Sequence, residues 1–315
     1  MFAKLYRLLF PIGLTSLMFA LTANAAGSLS APAATAPPAA VPTMITPTIT
    51  LTPAKDNTLY EDDSSNKSNG AGGYFFAGRT LLTNENLRRG LLSFDVVNQL
   101  PANAKIITAT LSLYASKQQG GAVTNTFSIH RVESDWGEGT SDAGANGGGG
   151  TTATVNDATW LHTFYDTTFW NTAGGDYVLP PTAAISIATV NTSYDWSNPS
   201  LVADIQSWLD GDASDYGWIV IGDEAVAGSA RRFNSRENNS ASTRPQLTLT
   251  YQFTPVPPTS VNIIGISEGL IDTTYTFTAS IVPTTTTTPI TYTWTADDQS
   301  TQITNINTIN YSWPT

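Results

Sequence analysis

From Ile106 to Tyr114 apolar residues alternate with small polar ones, putting Ile107, Ala109, Leu111 and Leu113 on one face and threonine and serine on the other. A period of two is the spacing of a half-buried antiparallel strand, and no amphipathic helix shows it. The same alternation returns in Thr126–Arg131 and Gln246–Tyr251. Trp218–Ile221 is apolar at every position, which suits a central strand covered on both faces. Six of the eight tryptophans lie between Arg88 and Tyr251, among loops rich in glycine and aspartate. The expected fold class is all-β, an antiparallel sandwich that displays its loops.

One short helix interrupts the strands. Asn198 offers an N-cap and Pro199 suits the first helical position; Leu201, Val202, Ile205, Trp208 and Leu209 then share a face until Gly211 ends the turn. Trp208 is read as an anchor into the core, with Asp204 and Gln206 facing water.

The chain of 315 residues has no cysteine, so such a fold is held by packing or by a hard cation bound through oxygens. Asp142 and Asp157, with nearby carbonyls, are candidate ligands for one structural calcium (Ca2+), as are Glu61, Asp62 and Asp63. Asp210–Asp215 opens like an EF-hand loop but lacks glycine at the sixth position and glutamate at the twelfth, and reads as a solvated turn. The 14 Lys and Arg are outnumbered by 25 Asp and Glu, and the net charge of −11 argues against a nucleic acid or anionic lipid partner.

Lys4 and Arg7, the apolar run Leu8–Leu21 and Ala23-Asn24-Ala25 have the three parts of an export signal. Residues 1–25 are therefore expected to be a signal peptide, and the mature chain to be secreted or held at the cell surface. The apolar run contains Pro11 and Gly13 and is too short to cross a bilayer, so no membrane span is expected after cleavage. Residues 26–47, rich in Ala, Pro and Thr, read as a disordered tether, 48–253 as the sandwich and 254–260 as a proline-rich linker. Beyond it, Val261–Ile266, Thr274–Ile281, Ile290–Ala296 and Ile306–Trp313 read as four short threonine-rich strands.

The segments Lys55–Glu61, Ser68–Gly72, Arg88–Asp95, Trp136–Asp142, Asp157–Trp160, Gly174–Asp176, Gly217-Trp218 and Ser235–Glu237 resemble the DNRLRE-type modules of secreted bacterial and archaeal proteins. The likeness covers nearly all of 50–251. It implies a jelly-roll-like sandwich grouped with carbohydrate-binding modules, some of which bind acidic polysaccharides such as alginate and are appended to enzymes or large surface proteins. The C-terminal strands resemble the start of a PKD-type, immunoglobulin-like repeat. About seven strands make such a sandwich, so 261–315 is expected to be an incomplete, truncated Ig-like β-sandwich. Its unpaired edge and apolar face would favour self-association or low order.

Trp136–Asp176 concentrates aromatic rings, carboxylates and the glycine run Gly147–Gly150. Flat rings on loops suit the CH face of a pyranose, while carboxylates, amides and arginines hold its hydroxyls. Trp160, Tyr165 and Trp170 are expected to be exposed stacking rings; the competing reading is that such rings pin a long loop to the sandwich. Arg88, Arg89, Arg231, Arg232 and Arg236 form the cationic concentration. Arg231 and Arg232 alternate faces on a strand, and Arg232 is the one expected to reach an acidic ligand. Arg236 has the competing option of pairing with Asp95 or Glu237.

No catalytic residues are expected. Ser267 in Gly265–Gly269 matches the nucleophile-elbow spacing, but His130 and His162 belong to the other domain, and His130 reads as a solvent-facing strand residue sharing a face with Ser128. Three functions compete: a non-catalytic module binding polysaccharide or cell-surface glycan, a structural or adhesive surface protein without a sugar site, and a polysaccharide lyase or hydrolase. Burial of Trp160, Tyr165 and Trp170 would favour the second, and a deep cleft with two convergent titratable groups the third.

Overall fold

The computed structural model describes residues 43–313 apart from 62–63, 85, 121–122, 146, 267–269, 271, 284–285, 287–289 and 297–298. The expected signal peptide, most of the tether, Asp62, Asp63 and Ser267 lie outside the described residues. One compact unit runs from Ile45 to Phe253, and residues 254–315 belong to another. The end of the expected tether is part of the sandwich, because Ile45 and Phe253 exchange both backbone hydrogen bonds.

Eleven strands of the first unit form one curled antiparallel sheet. They are β1 (Thr48–Leu51), β2 (Lys55–Tyr60), β3 (Tyr74–Arg79), β4 (Leu87–Ser93), β5 (Lys105–Gln118), β6 (Asn125–Arg131), β7 (Ala183–Ile187), β8 (Thr192–Trp196), β9 (Trp218–Ile221), β10 (Arg231–Asn234) and β11 (Gln246–Gln252). The path is β1-β11-β5-β10-β3-β4-β9-β6-β7, with β8 paired to β5 and β2 to β4. Strand β3 bonds to both β10 and β4, so the sheet turns back there and its halves enclose a core. Phe75, Leu111, Phe127, Trp196, Trp218, Phe233 and Leu247 fill that core with no exposed surface. Strand β9 is apolar throughout because both its faces are covered. Trp218 and Val220 enter the main core, and Ile219 enters a second apolar layer on the outer face with Leu59, Leu91, Trp136 and Trp170.

The start of β5 departs from the expected phase. Thr250 pairs with Thr108 and Tyr251 with Ile106, so Ile107 is the extra residue of a bulge. Ile106 is buried in its place, and Ile107 is 42% exposed.

Two helices accompany the sheet, α1 (Val96–Gln99) and α2 (Pro199–Asp210). Helix α2 has the expected caps. Asn198 Oδ1 accepts from Ser200 N at 2.9 Å, Gly211 takes φ 77°, and Leu201, Ile205 and Trp208 are buried. Asp204 and Gln206, however, do not face water. Asp204 Oδ2 accepts from Trp218 Nε1 (3.0 Å) and Thr182 Oγ1 (2.6 Å), and Gln206 bridges Ile106 N (2.9 Å) and Ala104 O (3.2 Å). Buried indole and backbone N–H groups need acceptors, and the polar residues of α2 supply them.

Asp215 also leaves the solvated turn in which it was expected. It is largely buried, and Oδ2 accepts from Val96 N (3.2 Å) at the start of α1. Burial raises its carboxyl to about 7, with Asp95 adding to the rise and the Val96 bond opposing it. A raised folded-state value means that Asp215 favours the fold fully below the unfolded carboxylate range. That contribution is lost as the pH climbs through about 7. Asp215→Asn, which keeps an acceptor for Val96 N, should remove a loss of up to roughly 4 kcal/mol between pH 4 and 8. Urea unfolding across that range checks it; equal pH slopes in both proteins would contradict it.

In the second unit β12 (Ser260–Ile264), β13 (Tyr275–Val282), β14 (Tyr292–Trp294), β15 (Gln302–Thr304) and β16 (Thr308–Tyr311) form two sheets, β12-β13-β16 and β14-β15. Among the described residues five strands thus stand where four were expected, around a core of Phe277, Ala279, Tyr292, Trp294 and Tyr311. No helix among the described residues is long and apolar enough to cross a membrane.

Candidate functional site

The excursion between β6 and β7 lies on the outer face of β2, β4 and β9, and its rings form the second apolar layer there. Trp170, expected as an exposed stacking ring, is only 5% exposed, and its Nε1 donates to Thr159 O at 2.9 Å. Trp160 is half-buried, with the Arg89 guanidinium 5.0 Å from its ring centre and Gly174 packed against its edge. Tyr165 is half-buried beside His162, at 5.2 Å between ring centres. The exposed ring is Phe169, at 63%. A register shift between Thr168 and Phe169 sets it outward while Trp170, next in sequence, turns in. The three predicted rings therefore do not make one open platform. Trp170→Ala should cost about 3–5 kcal/mol of stability, whereas Phe169→Ser should leave the melting temperature nearly unchanged; thermal unfolding of both variants tests this.

The segments that carry the DNRLRE resemblance converge inside the fold. Asn57 Nδ2 donates to Glu138 O (2.9 Å), while its Oδ1 accepts from Thr58 N, Ser68 Oγ and Asn69 N. Asp56 Oδ2 accepts from Arg236 N at 2.7 Å, and Arg236 Nη2 reaches Glu138 Oε2 (2.5 Å) and Glu237 Oε1 (2.8 Å). Arg236 thus takes one of its two expected partners, Glu237, and adds Glu138. Asp95 instead accepts from Asn98. Burial, with Glu237 next, pushes the Asp56 carboxyl well above its ordinary range. This network is an internal fastener.

His130 is buried, not solvent-facing, at 8% exposed. Its Nδ1 lies 2.9 Å from Val178 O, so that nitrogen carries the proton and Nε2 accepts from Ser128 Oγ at 2.9 Å. The predicted calcium ligands are committed elsewhere. Asp157, fully buried, accepts from Ser141 Oγ (3.0 Å) and Thr154 Oγ1 (3.0 Å), and the exposed Asp142 accepts from Gly144 N (2.8 Å). Among the described residues no three His, Asp or Glu are placed to hold a metal ion.

Arg232 stands elsewhere, in an open groove of about 580 Å³. Its Cα partners are Lys117 on β5 and Phe76 on β3, which sets the three side chains in a row across one face. The Arg232 guanidinium lies 3.8 Å from the centre of the Tyr74 ring, and Nε donates to Ser116 Oγ at 3.0 Å. Arg231 points the other way and is buried, donating to Ser229 O (2.8 Å) and Val123 O (2.7 Å). Arg88 lies over the Tyr60 ring (4.9 Å) and donates to Gly148 O (3.2 Å). The glycine run makes a wall. A Cβ at Gly147 (φ 61°) would come within 3.0 Å of the Phe76 ring, so only glycine lets this loop lie so close.

Arg88, Lys117, Arg231 and Arg232 all line the groove, with Phe76 and Leu82 as its apolar part and no Asp or Glu. Arg231 Nε and Gln118 Oε1, a donor and an acceptor, are buried without a hydrogen-bond partner on the face away from Arg232. Trp160, Tyr165 and Trp170 do not line it. Lys117 carried no signal in the sequence as read. The doublets Arg88-Arg89 and Arg231-Arg232 were the available pointer, since alternation sends one member of each to an outer face. No protein-family model and no curated protein matches the chain.

Proposed function

We propose that the Ile45–Phe253 unit is a secreted or cell-surface, non-catalytic module that binds an acidic polysaccharide in this groove. One observation carries the reading: in a chain of net charge −11, four of the 14 basic residues line one groove that no acid lines, and Lys117 and Arg232 stand side by side on its face. Arginine forks suit carboxylates, and Leu82, 56% exposed, offers apolar contact to a sugar's CH face. The groove lining also holds no His, so the chemistry it offers is charge and stacking rather than acid–base relay. The resemblance to DNRLRE-type modules points the same way.

Calorimetry with oligouronates and matched neutral oligosaccharides tests this. Acidic chains should bind and neutral ones should not, and binding should weaken as salt rises. Arg232→Ala should lose at least tenfold in affinity while Trp160→Ala changes it less than threefold. Because no Asp or Glu lines the groove, chelator should leave binding unchanged. Equal binding of neutral chains, or full affinity in a folded Arg232→Ala protein, would reject the proposal. Binding to no glycan would favour the structural or adhesive alternative.

A further inference from the structure

Lys117 and Arg232 are direct Cα partners across β5 and β10, and both line the groove. Like charges directly opposite one another destabilise an antiparallel pair. The chain pairs its arginines with acids elsewhere: Arg89 with Glu224, Arg131 with Asp204, Arg236 with Glu138. At this position no acid lines the groove that could offset the two cations.

Arg232 is also held still. Tyr74 supports the guanidinium plane, and Ser116, the extra residue of a bulge between Arg232 and Phe233, takes up Nε. No hydrogen bond among the described residues takes up the outer nitrogens, Nη1 and Nη2. A fixed fork beside a flexible ammonium is the donor set for one planar or tetrahedral oxyanion. On the far side of Arg232, one strand spacing away at roughly 4.8 Å, stands Phe76.

We infer that Lys117 and Arg232 form a seat for a single oxyanion group, and that the sugar ring bearing this group lies on the apolar part of the groove, where Leu82 is 56% exposed. The inference rests on the proposed function and narrows the ligand class. An anionic group attached directly to the ring, as in a uronate, reaches the seat while its own ring meets the apolar part of the groove; a charge on a long flexible branch does not need that neighbour. Occupation of the seat removes the Lys117–Arg232 repulsion, so the ligand stabilises the fold through these two residues.

Charge reversal on one strand separates the seat from ordinary packing. Lys117→Glu should melt a few degrees above wild type without ligand, because repulsion becomes attraction, and should lose at least tenfold in affinity for trigalacturonate. Lys117→Gln should lose several-fold in affinity without melting lower than wild type. Wild type should be stabilised more by galacturonate than by sulfate at equal concentration and ionic strength. Lys117→Glu that binds trigalacturonate as wild type does, or melts lower, overturns the seat. Polysaccharide binding lost in Arg232→Ala but kept in Lys117→Glu also rejects the seat and leaves the proposed function standing. Stabilisation by galacturonate through Lys117 with no retention on any acidic polysaccharide keeps the seat and rejects the proposed function. Equal protection by sulfate and galacturonate removes the ring contact with the apolar part of the groove.

Discussion

Replacing Arg236 by methionine is expected to destabilise the sandwich by about 3 kcal/mol or more at neutral pH, far beyond the usual effect of a surface arginine. The side chain is 37% exposed, yet it faces three carboxylates. Glu138 and Glu237 contact it directly, and Asp56 accepts from its backbone N–H. Asp56 Oδ1 and Glu237 Oε2 are already buried without partners. Burial raises the carboxyls of Asp56, Glu138 and Glu237 above their ordinary values, with mutual repulsion contributing. Groups raised in this way favour the fold below the unfolded carboxylate range and lose that contribution as pH rises through their folded-state values. Without the arginine those values rise further, so the deficit of the variant should be largest at pH 8 and shrink towards pH 5. Urea unfolding of wild type and Arg236→Met at both values measures it, and adding Asp56→Asn should recover part of the loss at pH 8. A variant as stable as wild type at pH 8 would show that the cluster is not the fastener described.

Features set by neighbouring residues were legible in the sequence. The period of two gave the strands, the unbroken apolar run gave a strand covered on both faces, and Asn198, Pro199 and Gly211 gave a helix with both ends in place. What the sequence did not reveal depends on partners distant along the chain. Ile107 turns outward because β11 skips it, Asp204 turns inward because Trp218 needs an acceptor, and Asp215 is buried because α1 closes over it. Trp170 and Phe169 are adjacent rings, one buried and one 63% exposed, a division that ring chemistry cannot foretell. The groove was half-visible. Alternation allowed only one of Arg231 and Arg232 to reach a given face, and Arg231 is the buried one; Lys117 is a lone lysine near the end of a strand and gains meaning only from the pairing of β5 with β10.

Trp218→Ala is expected to remove most of the unit's stability. The indole has no exposed surface and lies between Trp208 (4.6 Å between ring centres) and Phe94 (6.4 Å). Truncating a buried aromatic to alanine costs about 3–5 kcal/mol. Here Nε1 also donates to Asp204 Oδ2, a charged acceptor, and losing such a bond adds about 1.5–3 kcal/mol. The sum approaches the whole stability of a typical domain, about 5–15 kcal/mol. Trp218→Phe keeps most of the ring volume and should show chiefly the second loss, softened because Thr182 and Arg131 still hold Asp204. The consequence reaches the groove through β9. Ile219, on the opposite face of that strand, belongs to the apolar layer under the excursion whose glycine run walls the groove. Trp218→Phe should therefore bind oligouronate normally well below its melting temperature and lose binding only as the fold is lost. Equilibrium urea unfolding and calorimetry on the two variants test both steps, and a Trp218→Ala protein that melts within a few degrees of wild type would contradict the account.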